Sequence, residues 1–166
     1  MTHTISTRRD FLATGAAMAG AAFAAGPSGL ITPARAQSLA PTPTMNGGAN
    51  NYIPGAPVVT RIGRGGFWMT GTVRRAGDGA PLRGMRIQIW AHTTEGREDQ
   101  PQSHGATMTA ADGTFRLEMP QIVPMFGQPH AHLAYEGEGF KTVFLRPVMA
   151  SARDKSLSAH FVLQPV

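Results

Sequence analysis

Residues 129–132 read P-H-A-H and place two histidines one residue apart. On a β-strand, side chains alternate between faces with period two, so His130 and His132 share a face while Ala131 and Leu133 point the other way. Two imidazoles side by side are close enough to share one metal ion, and imidazole suits iron, copper and zinc. An isolated H-x-H is a weak signal, and more often two solvated imidazoles on a sheet face. The reading therefore turns on what further donors the chain supplies.

The densest carboxylates lie in the polar stretch TTEGREDQPQSHG, residues 93–105, which contains Glu95, Glu98 and Asp99. Such a loop is ordinarily hydrated; it bears on the H-x-H pair only if it folds back over that face. His104 belongs to the same stretch and is expected as a solvated histidine, with an accessory role at the site as the alternative. His92 follows Trp90 on the polar side of its strand and is expected to pack beside the indole. His160 alternates against Leu157, Ala159, Phe161 and Leu163, which places it at the surface. Met69, Met85 and Met119 occupy alternating strand positions and read as core filling. Met125, in a loop five residues before His130, is a candidate soft ligand. There is no Gly-x-Ser-x-Gly elbow and no phosphate-binding loop, and the absence of cysteine removes thiol nucleophiles and disulfides alike.

The elements that must position these residues have a period of two, and no stretch sustains a helical period. FWMTGTVRR reads as a strand, followed by the turn AGDGAPLRG. In MRIQIWAH, Met85, Ile87 and Ile89 alternate with Arg86, Gln88 and Trp90, the pattern of a half-buried strand. ATMTAADGTFRLEMP is expected as a hairpin closed at Asp112-Gly113, and HAHLAYEGEGFKTVFLR as a second one turning at 137–139. SLSAHFVLQ completes the set. Short strands separated by Asp-Gly and Gly-x-Gly turns predict an all-β fold, an antiparallel β-sandwich of about seven strands over residues 59–166. Residues 37–58, rich in Pro, Gly, Asn and Thr, read as an extended arm or linker, with Tyr52 packing it onto the domain.

Residues 1–36 read as an export leader. Arg8 and Arg9 precede a weakly apolar Ala/Gly run, and Ala34-Arg35-Ala36 supplies small residues for cleavage after Ala36. A twin-arginine pair before such a run is the Tat form of the signal, so the Tat translocase is an expected partner and the periplasm or exterior the expected destination. The run is broken by glycines and Pro27, which disfavours a membrane span. Removing Arg8, Arg9, Arg35 and Asp10 with the leader lowers the formal net charge from +5 to about +3. Without a lysine/arginine run, that balance gives nucleic-acid binding no support.

The order of motifs resembles the intradiol ring-cleavage dioxygenases, the catechol and protocatechuate enzymes. GTVRRAGDGAPLRGMRIQIWAHTTEGRE, TMTAADGTFRLEMPQIVP and PHAHLAYEGEGFKTVFL carry the resemblance over about residues 68–149. It implies a β-sandwich and a non-haem ferric ion held by two histidines and two tyrosines, with small aromatic substrates. The histidines fall on His130 and His132. Where the family's first tyrosine stands, G-R-E puts Glu98; where its second stands, PQIVP puts Val123. The arginine three residues before the first histidine corresponds to Gly127, and a glutamine on the following strand falls near Pro147. Tyr135 has the wrong parity to replace either tyrosine. With Glu98 supplying an anionic oxygen, His130, His132 and Glu98 approximate the two-histidine, one-carboxylate set of ferrous non-haem oxygenases.

Three functions compete on these grounds. The first is an exported iron oxygenase acting on an aromatic or phenolic compound. The second is a non-catalytic sandwich module binding a partner, glycan or aromatic ligand through its loops. The third is a copper-handling protein using His130, His132 and Met125.

Overall fold

Alternation along the strands decides how the chain layers. The computed structural model describes residues 38–166 apart from Phe126. The expected leader, with Arg8, Arg9 and the cleavage position after Ala36, lies outside the described residues. β1 (Phe67–Arg75) buries Phe67, Met69 and Val73 and turns Trp68, Thr70 and Thr72 outwards. β4 (Thr114–Met119) buries Phe115, Leu117 and Met119, and β7 (Ser156–Leu163) buries Ala159, Phe161 and Leu163. These three form one sheet in the order β4-β1-β7. The other sheet, in the order β3-β2-β5-β6, holds β2 (Arg86–Ala91), β3 (His104–Met108), β5 (Ala131–Tyr135) and β6 (Val143–Leu145). Ile87, Ile89, Leu133, Tyr135 and Leu145 face the first sheet's apolar side, so one core lies between the two layers. Area removed from water there, at roughly 25 cal/mol per Å² of apolar surface, is the main force holding the layers together.

The seven strands and the sandwich match the sequence reading, and three details depart from it. First, β1 pairs with β4 antiparallel but with β7 parallel, in the register Gly71↔Ala159, so this sheet is mixed. Second, β3 and β4 are not a hairpin within one sheet. The Asp112-Gly113 turn closes as expected, with Gly113 at φ 79° and its N–H donating to the Ala110 carbonyl at 3.0 Å. Its two arms then part, β3 joining β2 and β4 joining β1. The local turn chemistry is the same for either outcome; the core decides which sheet each arm enters.

The third departure concerns β2, which is buried on both faces. The residues that read as its polar side, Gln88 and Trp90, are fully buried because the arm covers them. The arm runs across both sheets: Thr42 N–H donates to Val162 O at 2.9 Å, Met45 N–H to Phe144 O at 2.8 Å, and Val59 N–H to Ala106 O at 2.9 Å. Gly48 makes the closest approach. A Cβ there would lie 2.9 Å from the Phe144 carbonyl carbon and oxygen, so any larger residue would lift the arm off β6. Among the described residues, no helix is long and apolar enough to cross a membrane.

Candidate metal centre

β2 and β5 pair antiparallel with Trp90 opposite His132, and β3 places His104 on the other side of Trp90. The three rings form a stack on the sheet face beneath the arm. Trp90 lies 5.2 Å from His132 at 12° and 5.4 Å from His104 at 6°, centroid to centroid. Tyr52 of the arm tilts against the indole at 5.4 Å, and the indole N–H donates to Asn50 O at 2.9 Å. His130, one residue before β5, is kept extended by its bridge to Val148, so it projects from the same face as His132.

The loop between β2 and β3 does fold back over this face. Thr93 N–H donates to Gly96 O at 2.8 Å, Arg97 N–H to Gln100 Oε1 at 2.9 Å, and a 3-10 turn at Pro101–Ser103 leads into β3. These turns divide the three carboxylates. Glu95 is exposed and accepts from Arg64 N–H at 3.2 Å, and Asp99 is exposed and pairs with Arg97 at 3.2 Å. Glu98 alone is buried, 5% exposed, with its Oε2 at 3.5 Å from Nε2 of both His130 and His132. Those three donor atoms lie within 4.8 Å of one another.

Their hydrogen-bonding partners fix how the two rings are turned. His130 Nδ1 lies 2.8 Å from Gln128 O, and His132 Nδ1 lies 3.0 Å from Gly48 O. A carbonyl can only accept, so both Nδ1 atoms face acceptors and the Nε2 atom of each ring is left turned towards Glu98. Asn51 Nδ2 donates to the other carboxylate oxygen, Oε1, at 2.8 Å. Glu98 Oε2 and His132 Nε2 are buried with no hydrogen-bond partner among the described residues. A third such atom, His92 Nδ1, lies one residue beyond β2. Burial also pushes the His132 pKa down, ahead of the smaller opposing pull of the Gly48 hydrogen bond and Glu98, which favours the neutral imidazole a metal needs. A carboxylate oxygen and two imidazole nitrogens converging in a buried space make a seat suited to a cation. Donors bound to one ion at about 2.0–2.2 Å sit roughly 3 to 3.5 Å apart, and Glu98 Oε2 lies at 3.5 Å from each imidazole nitrogen. The residues fit a single transition-metal ion.

His104 departs from the sequence reading: it is not solvated but 4% exposed on β3. Its Nε2–H donates to the Glu98 carbonyl at 2.8 Å, and Gln88 Nε2 approaches its Nδ1 at 3.4 Å. Burial pushes its pKa down, so it is a neutral ring that anchors the backbone of Glu98. Met125 is half-buried in the loop between β4 and β5; among the described His, Asp and Glu residues, the donor atoms that cluster are those of Glu98, His130 and His132. His92 is half-buried and His160 exposed, the latter bonded to Thr72 Oγ1 at 2.9 Å. Sequence reasoning missed Gly48, Asn50 and Asn51, whose segment has no periodicity and contributes two of its three contacts through backbone carbonyls that no residue type advertises. It also missed Arg146, whose Nη2 lies 3.4 Å from His130 Nδ1.

Neither tyrosine reaches the centre. Tyr135 faces the core and donates to Glu138 O at 3.1 Å. Tyr52 donates to Glu136 Oε2 at 2.5 Å, and burial together with that carboxylate pushes its pKa up to about 12. Ferric iron added to the protein should therefore give no strong visible tyrosinate-to-iron band. A burgundy preparation in a visible absorption spectrum would place a phenolate on the metal and overturn this arrangement.

Comparison with known proteins places the fold. Among solved structures, the chain is similar to a 3-chlorocatechol 1,2-dioxygenase from Rhodococcus opacus 1CP, at 17% identity and a TM-score of 0.54, covering 69% of each chain. It is similar to a hydroxyquinol 1,2-dioxygenase from Pseudomonas putida DLL-E4, at 16% identity and a TM-score of 0.57, over 79% of this chain and 69% of that one. It also matches the dioxygenase domain of a dioxygenase carbohydrate-binding protein fusion from Streptomyces sp. SirexAA-E, at 16% identity and a TM-score of 0.55, over 69% of this chain and 93% of that one. Sequence comparison finds no matching family model and no matching curated protein. At these identities the likeness establishes the fold, which is the intradiol dioxygenase fold that the motif order implied.

Proposed function

We propose that this chain, a sandwich of intradiol dioxygenase fold, is an exported metalloprotein. In this reading it holds one iron(II) ion at Glu98, His130 and His132 and acts as an oxidoreductase on a small aromatic or phenolic compound. The observation that carries the metal is the buried, unpartnered Oε2 of Glu98, equidistant at 3.5 Å from two imidazole nitrogens whose other nitrogens are already committed. Two histidines and one carboxylate are a donor set suited to ferrous iron. When bound, the ion would supply Lewis acidity and a redox couple beside the substrate. The chain's own contribution is to turn both Nε2 atoms towards one point, favour the neutral form of His132 by burial, aim Glu98 through Asn51, and keep water from the donor atoms by burial. The aromatic substrate is supported by the fold shared with structures that are named as chlorocatechol and hydroxyquinol dioxygenases.

Metal analysis of the full chain, produced with its own leader and purified from the exported fraction, tests this reading. About one iron per chain is expected for the wild type and none for His130→Ala. Stoichiometric copper instead would favour metal handling over oxygenation, and a metal-free wild type would favour a binding module. The leader has its own test. With both Arg8 and Arg9 changed to Lys, the precursor should remain in the cytoplasm, as read by fractionation and immunoblotting. Normal export of that double variant would remove the Tat assignment.

A further inference from the structure

We infer that Asn51 is a positioning residue of the metal centre: it ties down Glu98 Oε1 so that Oε2 alone faces His130 and His132, and in doing so makes the arm part of the site. This rests on the metal reading above and extends it to a segment whose composition carries no metal-binding signature.

The arm meets the centre at three successive points. Gly48 O accepts from His132 Nδ1, Asn50 O accepts from the Trp90 indole, and Asn51 Nδ2 donates 2.8 Å to Glu98 Oε1. Only the last uses a side chain, and it is the only side-chain hydrogen bond made to that carboxylate among the described residues. The terminal torsion of a glutamate is broad and two-fold, so an untethered carboxylate can present either oxygen, or both, to an ion. An amide donor fixed on one oxygen removes that freedom. Partners of this kind orient a ligand and tune the ion, and they typically matter 10- to 100-fold in affinity.

The backbone is arranged for this contact. Asn51 has φ 58°, the only non-glycine positive φ among the described residues. It follows Asn50 in a turn in which Tyr52 N–H donates to Ala49 O at 3.1 Å. Asparagine is among the few residues that enter this region readily. Asn51 is otherwise exposed, so its substitution leaves the core filled. Asparagine there satisfies two demands together: tolerance of the left-handed backbone and a donor for the carboxylate.

Cobalt(II) titration of the full chain, followed by visible absorption, separates this role from general loosening of the arm. Asn51→Gly keeps the backbone conformation and removes the amide. Asn51→Asp keeps shape and conformational tolerance but replaces the donor with an acceptor. Both should bind cobalt about 10- to 100-fold more weakly than the wild type, with altered d–d bands, while far-UV circular dichroism of the metal-free forms stays unchanged. Tyr52→Phe, which frees Glu136 but not Glu98, should keep wild-type bands and affinity. Wild-type bands and affinity in Asn51→Gly overturn the inference, as does the same spectral change in Tyr52→Phe. Tighter binding by Asn51→Asp overturns it too, since position 51 would then itself reach the ion. Absence of cobalt binding by the wild type overturns the metal reading itself, and is read from a separate titration.

Discussion

Glu98→Gln should move metal binding and metal-free stability in opposite directions. Loss of the only anionic donor is expected to weaken metal binding by at least about a hundredfold, more than loss of a mere outer partner would. Without metal, however, Oε2 of the wild-type carboxylate lies 3.5 Å from both imidazole Nε2 atoms with no hydrogen-bond partner among the described residues. A glutamine amide keeps an oxygen for Asn51 and points N–H donors at the imidazole nitrogens. Satisfying a buried polar cluster in this way is worth about 1–3 kcal/mol, so the metal-free variant should melt a few degrees above the metal-free wild type. Thermal unfolding with a chelator, and again with saturating metal, reads both effects. Asp99→Asn, exposed and paired only with Arg97, should change neither. If Glu98→Gln and Asp99→Asn both leave affinity unchanged while His130→Ala abolishes it, the carboxylate is no ligand.

Trp90→Ala should be the most destabilising of the substitutions considered. The indole is fully buried, lies between His104 and His132, and carries Tyr52 and the Asn50 carbonyl on the arm side. Removing a buried aromatic costs about 3–5 kcal/mol, a large share of the ~5–15 kcal/mol that holds a typical domain together. Trp90→Phe keeps an aromatic ring in the stack and loses the N–H, so about 1 kcal/mol is expected. Denaturant unfolding with both variants decides the matter: equal, small losses would mean that the stack neither seats the arm nor fixes His132.

Much of the sandwich was legible because strands announce their buried face by alternation. Phe115, Leu117 and Met119 on β4, and Ala159, Phe161 and Leu163 on β7, point where their period requires. The shared face of His130 and His132 follows from the same rule. What period two cannot express is a second covering layer. Gln88 and Trp90 look polar-facing in sequence and are buried because backbone carbonyls of the arm lie over them. His104 was misread for a related reason: the polar loop before it hides the start of β3, and only its pairing with Trp90 places it in the stack. The parallel pairing of β1 with β7 has no local signal either, since nothing in either strand names a partner some ninety residues away.

That pairing and the arm's route make the fold depend on contacts between distant parts of the chain. Thr70 and Ser158, bonded side by side in one sheet, are 88 residues apart in the chain, and Thr42 and Val162 are 120 apart. Contacts of such separation are slow to close, and sandwiches dominated by them fold on roughly millisecond-to-second timescales. The β5–β6 hairpin, with Leu133 opposite Leu145, is local in sequence, whereas Glu98 and Gly48 meet the H-x-H pair across 32 and 84 residues of chain. Gly48 and Asn51 reach His132 and Glu98 only once the arm has crossed both sheets. Ion-binding geometry thus depends on the completed tertiary structure rather than on a preformed strand.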